Sequence, residues 1–268
     1  MQQRYDERDL YTGLASVHWA TISVTDPRRD QEFYRSIIVK NSGKALELGC
    51  GAGRLLIAYL QDGLDVEGID ISADQLTVCR QDAKRVGVEP VLYEQSMQTF
   101  DVPHSYSTVY IPCGSFECVM DRAEALETLR RCFTHLEPKG QLVFACSPGN
   151  RNYYGSKEEA KTYPGEWTLR SNKALPDGRR LLVYLRDTGE DPVEQIQMQE
   201  RRYEVHDGDQ VTEEEVHVGQ TRWYHRNEVL WMLQLAGFAD VEVKGNFSDE
   251  PLNAEHTDMV FVATKPAG

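Results

Sequence analysis

The chain has 268 residues, of which 40% are hydrophobic and 27% charged, the balance of a soluble globular protein with room for one core and an insertion or small companion. Its formal net charge of −14 opposes binding along a phosphate backbone and argues against nucleic acid as a partner. No apolar run approaches the ~20 residues of a membrane helix, and the opening MQQRYDERDL lacks the apolar stretch of a signal peptide, so a cytoplasmic protein away from membranes is expected.

Residues 1–40 read as helical and loosely amphipathic, carrying Tyr5, Tyr11, Trp19, Phe33 and Tyr34, with a break at Asp26-Pro27 because the residue before proline avoids helix. Strands and helices then alternate. Lys44–Leu48 is a short strand that runs into the glycine cluster of residues 49–53, and Arg54–Leu60 is a helix. Leu64–Ile71 is a second strand. Ser72 with Gln75 reads as a capping box opening the next helix, which sets Leu76, Cys79 and Ala83 on one face. Pro90–Tyr93 and Thr108–Pro112 are further strands. Asp121 with Glu124 opens another helix, carrying Leu126, Leu129, Phe133 and Leu136 at helical spacing until Pro138–Gly140 ends it, and Gln141–Cys146 is a fifth strand. This alternation predicts a doubly wound, mostly parallel α/β sheet.

From Ser147 to Arg222 the rhythm breaks into strand-like runs separated by Asp177-Gly178, Asp191-Pro192 and Asp207-Gly208, which predict an inserted antiparallel sheet with one polar face. A helix with His225 at its N-cap, Glu228 three residues on and Gly237 at its end follows. Ala239–Val243 and Asp258–Thr264 close the chain as a strand pair. The expected organisation is a helical cap (1–40), a core (41–146 with 223–268) and a β insertion (147–222). The six cysteines (Cys50, Cys79, Cys113, Cys118, Cys132, Cys146) show neither paired nor metal-ligand spacing, so free thiols and no metal are expected.

The most informative string is Glu47-Leu-Gly49-Cys-Gly51-Ala-Gly53-Arg54, set between a strand and a helix. Glycines there let backbone approach a ligand, and the helix start offers free amides to an anion. Asp70 ends the next strand, close to the ~20-residue offset of an acid that hydrogen-bonds a ribose. An adenosine-containing cofactor follows. A dinucleotide fingerprint requires glycine where this chain has Arg54, which disfavours a nicotinamide-dependent oxidoreductase.

ALELGCGAGR resembles the first motif of the class I S-adenosylmethionine-dependent methyltransferases, and VEGIDIS resembles their second. The likeness continues through the block from Thr108 to Phe144 and the closing helix EVLWMLQLAGF, about two thirds of the chain. It implies a Rossmann-like fold and S-adenosylmethionine as cofactor, released as S-adenosylhomocysteine. By this resemblance Glu47, Gly49, Gly51 and Gly53 surround the methionine end, Asp70 and Ile71 hold ribose and adenine, and Pro112 and Cys113 lie near the sulfonium. Ser96-Met97 stands where the family usually carries an acid followed by a hydrophobic residue. Tyr5-Asp6 resembles a pair found at the start of many relatives.

Methyl transfer is an in-line displacement, so positioning supplies most of the catalysis, and a protonated amine or neutral hydroxyl also needs a base. Glu117 lies after the fourth strand, where sugar-amine N-methyltransferases of similar architecture carry a histidine. It is the candidate base or acceptor-binding residue, against the plain alternative of a carboxylate idle before a helix. His225 and Tyr11 are weaker candidates, since capping and packing explain them. Tyr153, Tyr154, Tyr163 and Trp167 either wall an acceptor pocket or pack the insertion onto the core. The expectation is a methyltransferase acting on a small amine or hydroxyl, nitrogen slightly favoured. The alternatives are an RNA or protein methyltransferase of this fold and a non-catalytic S-adenosylmethionine-binding protein. A homodimer through the insertion stays open.

Overall fold

Two sheets and six helices form from this sequence in a computed structural model that describes residues 10–22, 29–147 and 165–267. The break at Asp26-Pro27, the Tyr5-Asp6 pair and Tyr153, Tyr154 and Tyr163 lie outside the described residues. Helices α1 (Gly13–Ile22) and α2 (Arg29–Asn41) come first, followed by β1 (Ala45–Leu48), α3 (Arg54–Gln61), β2 (Val66–Asp70), α4 (Ala73–Arg85) and β3 (Val91–Glu94). Next are β4 (Tyr106–Ile111), α5 (Arg122–His135) and β5 (Leu136–Cys146). The insertion carries β6 (Thr168–Ala174), β7 (Arg180–Asp191), β8 (Ile196–Asp207) and β9 (Gln210–Arg222). The chain ends with α6 (Arg226–Ala236), β10 (Asp240–Gly245) and β11 (Met259–Thr264).

The larger sheet has the order β10-β11-β5-β4-β1-β2-β3. Strands β1 to β5 are parallel, and β11 is antiparallel to both of its neighbours. Every residue of β1, β2 and β4 is buried, as expected for strands covered on both faces. Alternation across these strands divides the core into two layers. Leu46, Val109, Ile111 and Phe144 pack with Leu129 of α5 and Leu233 of α6. Ala45, Val66, Tyr110 and Val143 pack with Tyr34 of α2 and Leu55 of α3. Each buried Val, Leu, Ile or Phe side chain among these contributes about 1.5–3 kcal/mol by leaving water. Strand order reverses between β1 and β4, and the crevice at their carboxyl ends is where an open α/β sheet binds ligands.

The insertion forms a separate antiparallel sheet, β6-β7-β8-β9, and its Leu181, Val183, Tyr203 and Val205 pack on Leu14 and Ala15 of α1. Helix α1 thus lies between the inserted sheet and α4 of the core, where Gln75 bonds Ser16.

Two local expectations need correction. Pro138–Gly140 does not separate α5 from a strand at Gln141. Leu136 is already extended (φ −80°, ψ 142°) and pairs with Tyr106, and the register then shifts to Thr108↔Gln141. Lys265 holds the bulge by accepting from the Lys139 amide (3.1 Å) and donating to the Gly140 carbonyl (2.9 Å), so pairing overrides the local stop signal. The Ser72 capping box is half formed. Ser72 Oγ accepts from the Gln75 amide at 3.2 Å, whereas the Ser72 amide is taken by Asp70 Oδ1 at 2.8 Å. The Gln75 side chain turns instead to Ser16 of α1, donating to its carbonyl (2.9 Å) and Oγ (2.8 Å).

Candidate functional site

The glycine loop folds back over the end of β2. The amides of Gly49 and Cys50 both donate to the Ile69 carbonyl, at 2.8 and 2.9 Å. Gly49, Gly51 and Gly53 have φ of 71°, 53° and 88°, the left-handed region where a side chain is strained. Gly53 has a further constraint, since a Cβ there would stand 2.6 Å from Cys79 Sγ of α4. The Gly51 amide donates to Asp70 Oδ2 at 2.7 Å. Asp70 is buried; burial raises its carboxyl above the ordinary value, while the amides of Ser72, Gly51 and Ile71 pull it back.

Glu47, behind the loop, accepts from Tyr110 Oη at 2.7 Å. Burial pushes its carboxyl up to about 8, against the pull of that hydrogen bond and of the Arg54 guanidinium. Arg54 forms a two-pronged pair with Asp30 of α2 and donates to Cys113 Sγ at 3.2 Å. Cys113 and Gly114 are both left-handed, with φ of 59° and 69°, and this turn lifts the chain off β4 beside the crevice.

These parts line a cavity of about 240 Å³. All of the sequence-predicted cofactor residues except Gly53 face it: Glu47, Gly49, Gly51, Asp70 and Ile71 on one side, Ser96, Met97, Pro112 and Cys113 on the other. Gly53 serves helix packing beneath them. Ser96 Oγ pairs with Thr99 Oγ1 at 2.8 Å.

Glu117 sits on a 3-10 turn, Ser115–Cys118, in a wall shared with a second cavity of about 410 Å³ that Asp30, Ser147, Asn246 and Asp258 also line. It accepts from the Ser147 amide at 3.0 Å. Burial pushes its carboxyl up to about 7, partly offset by the Ser147 amide and hydroxyl, with the Asp258 charge adding to the rise.

Tyr11 lines the first cavity. Its hydroxyl is 3.6 Å from Cys118 Sγ, its carbonyl accepts from Ser72 Oγ at 3.0 Å, and burial raises its phenol well above the ordinary value. His225 is exposed at the N-cap of α6 and lines neither cavity. Its backbone amide donates to Glu228 Oε2 at 3.4 Å. Trp167 also stays clear of both cavities; the guanidinium carbons of Arg186 and Arg202 stand 4.6 and 4.8 Å from its ring centre. All six cysteines are free thiols.

Sequence reading missed Gln98 and Trp19, and it missed Gln199, Arg201 and Thr221 of the inserted sheet, all of which line the first cavity. It also missed Asp30 and Asn246 in the second. Only the left-handed asparagine, Asn246 (φ 51°), belongs to a residue type whose preference for such conformations is visible in a sequence.

Residues 45–140 match the family described as methyltransferase domain. The chain is 26% identical over 261 residues to YqeM of Bacillus subtilis (strain 168), named as a candidate methyltransferase, covering 96% of this chain and 97% of that one. An S-adenosylmethionine-dependent methyltransferase from Clostridium acetobutylicum superposes with a TM-score of 0.73 at 15% identity, covering 90% and 93% of the two chains. The sugar N-methyltransferase KedS8 from Streptoalloteichus sp. superposes with a TM-score of 0.69 at 19% identity, covering 99% and 97%. These structural likenesses carry the Rossmann-like fold. The family match spans the strands and helices that bear the glycine loop and Asp70.

Proposed function

We propose that this enzyme methylates a small molecule at an amine or hydroxyl, with nitrogen favoured. The site fits S-adenosylmethionine through its own residues. Asp70 Oδ2 receives the Gly51 amide and Oδ1 the Ser72 amide, with the Ile71 amide also directed at the carboxylate, and a carboxylate with about four lone-pair sites retains acceptor capacity for a ribose hydroxyl. Ile71, Met97 and Ser96 would flank the adenine, Glu47 and the left-handed glycines the methionine end, and Pro112 and Cys113 the sulfonium. When bound, the cofactor supplies an electrophilic methyl group on a positively charged sulfur.

The observation that carries the acceptor reading is Glu117, standing in the wall common to both cavities. A carboxylate titrating near 7 is matched to taking a proton from an ammonium or hydroxyl at neutral pH. Its Oε2 is the freer oxygen, 3.4 Å from Ser147 Oγ. A small acceptor also accords with the KedS8 likeness, and the net charge of −14 opposes RNA. No helix among the described residues is long and apolar enough to cross a membrane.

Calorimetric titration with S-adenosylmethionine, S-adenosylhomocysteine and NAD, followed by a turnover screen over amines and hydroxyl compounds, tests this reading. Binding of the first two without NAD, and turnover on an amine, are expected. Binding of NAD alone removes the reading. Tight S-adenosylmethionine binding without turnover on any acceptor favours a non-catalytic binding protein.

A further inference from the structure

The inserted sheet turns one face of β8 and β9 toward α1 and the first cavity. Side chains alternate along a strand, so Gln199, Arg201 and Tyr203 share that face with their cross-strand partners Gly219, His217 and Glu215. Gln199, Arg201 and Gly219 line the cavity. At Gly219 a Cβ would stand 3.3 Å from Leu10 Cδ2, so the missing side chain lets the segment before α1 lie close against the sheet.

Among the described residues two cations line this cavity, Arg54 and Arg201. Arg54 is neutralised by Asp30. Glu215, one cross-strand pair along from Arg201, is already engaged: its Oε2 accepts from the Leu14 amide at 2.8 Å and pairs with His217 Nε2 at 3.0 Å. Arg201 has no carboxylate partner among the described residues. Its guanidinium carbon stands 5.5 Å from the ring centre of Trp19, whose Nε1 is tied to the Leu10 carbonyl at 3.1 Å. The neighbouring His18 is held neutral, its imidazole pushed down to about 4 by burial and by the charges of Arg201 and Lys173.

A partly buried guanidinium without a counter-charge is costly, and an anion within the same cavity offsets that cost. We propose that Arg201 recognises an anionic group, a phosphate or carboxylate, on the methyl acceptor, so that the inserted sheet determines which acceptors react. The planar fork of arginine matches both groups with two parallel hydrogen bonds. Glu117 and Cys113 belong to the core wall of this cavity and Arg201 to the insertion, so one acceptor spans both. This inference rests on reading the cavity as the cofactor and acceptor site. The other source of such an anion is the carboxylate of the cofactor itself.

Protein saturated with S-adenosylhomocysteine is titrated calorimetrically with inorganic pyrophosphate and, separately, with malonate. Saturable binding of at least one anion is expected, weakened tenfold or more in Arg201→Gln and less in Arg201→Lys, with S-adenosylhomocysteine affinity within about twofold in all three proteins. Equal anion binding by wild type and Arg201→Gln, or none by wild type, overturns the proposal. So does a tenfold loss of S-adenosylhomocysteine affinity in both variants, which assigns Arg201 to the cofactor. Failure of wild type to bind S-adenosylhomocysteine at all instead removes the cavity reading beneath it.

Discussion

Asp70 and Gly51 are joined by a 2.7 Å hydrogen bond from the loop amide to Oδ2, which ties the end of β2 to the middle of the glycine loop. The same carboxylate holds the Ser72 amide through Oδ1, so one buried side chain fixes the loop and the start of α4 together, and it is the residue proposed to hold the ribose. Hydrogen bonds to a charged acceptor are worth about 1.5–3 kcal/mol each. Asp70→Ala is expected to weaken S-adenosylhomocysteine binding by about a hundredfold or more, measured by calorimetry. Unchanged affinity places the ribose elsewhere.

Glu117 sets the pH profile if it is the base. Its ionised form accumulates as pH rises through about 7, so kcat/KM for an amine acceptor rises with an apparent pKa near that value. Glu117→Gln is expected to lose this limb and to lower kcat by about 10²–10⁴. Retention of the wild-type profile and rate across pH 6–9 leaves Glu117 as a plain partner of Ser147.

Glu47 makes a prediction about stability with a definite sign. Its folded carboxyl lies near 8 against an ordinary value of 4.5, so folding favours the protonated form. That contribution is complete below about 4.5 and is lost as pH rises through 8, with a slope of at most about 1.4 kcal/mol per pH unit. Glu47→Gln removes the titration. Its Tm relative to wild type therefore rises steadily between pH 5 and 8.5, read by thermal melts, and a constant difference contradicts the buried, protonated carboxyl.

Two loop glycines are separable. Gly53→Ala places a Cβ 2.6 Å from Cys79 Sγ at φ 88° and is expected to cost about 2–4 kcal/mol of stability through overpacking and strain. At Gly51 the nearest atom is Gln75 Oε1 at 3.6 Å, so Gly51→Ala costs about 1–2 kcal/mol while its methyl group enters the cavity and weakens S-adenosylhomocysteine binding. Chemical denaturation beside calorimetry distinguishes the two, and equal stability loss with equal affinity loss refutes the division.

The sequence by itself determined the strand–helix alternation, the helix ends at Ser72, Asp121 and Gly237, and the pairing of the glycine loop with Asp70. Each of these is a local signal: a hydrophobic period, a capping side chain, or an acid at a fixed offset from a turn. Tertiary structure alone decided that Gln75 docks α1 rather than completing its own cap, that β5 begins at Leu136, and that Arg201 and Trp19 meet at the cavity where Asp70 and Glu117 stand. These contacts join residues far apart in sequence, and the residue types involved are as common on solvated surfaces as in sites. Sheet order and the packing of the insertion on α1 bring them together, and neither leaves a period or a spacing in the chain.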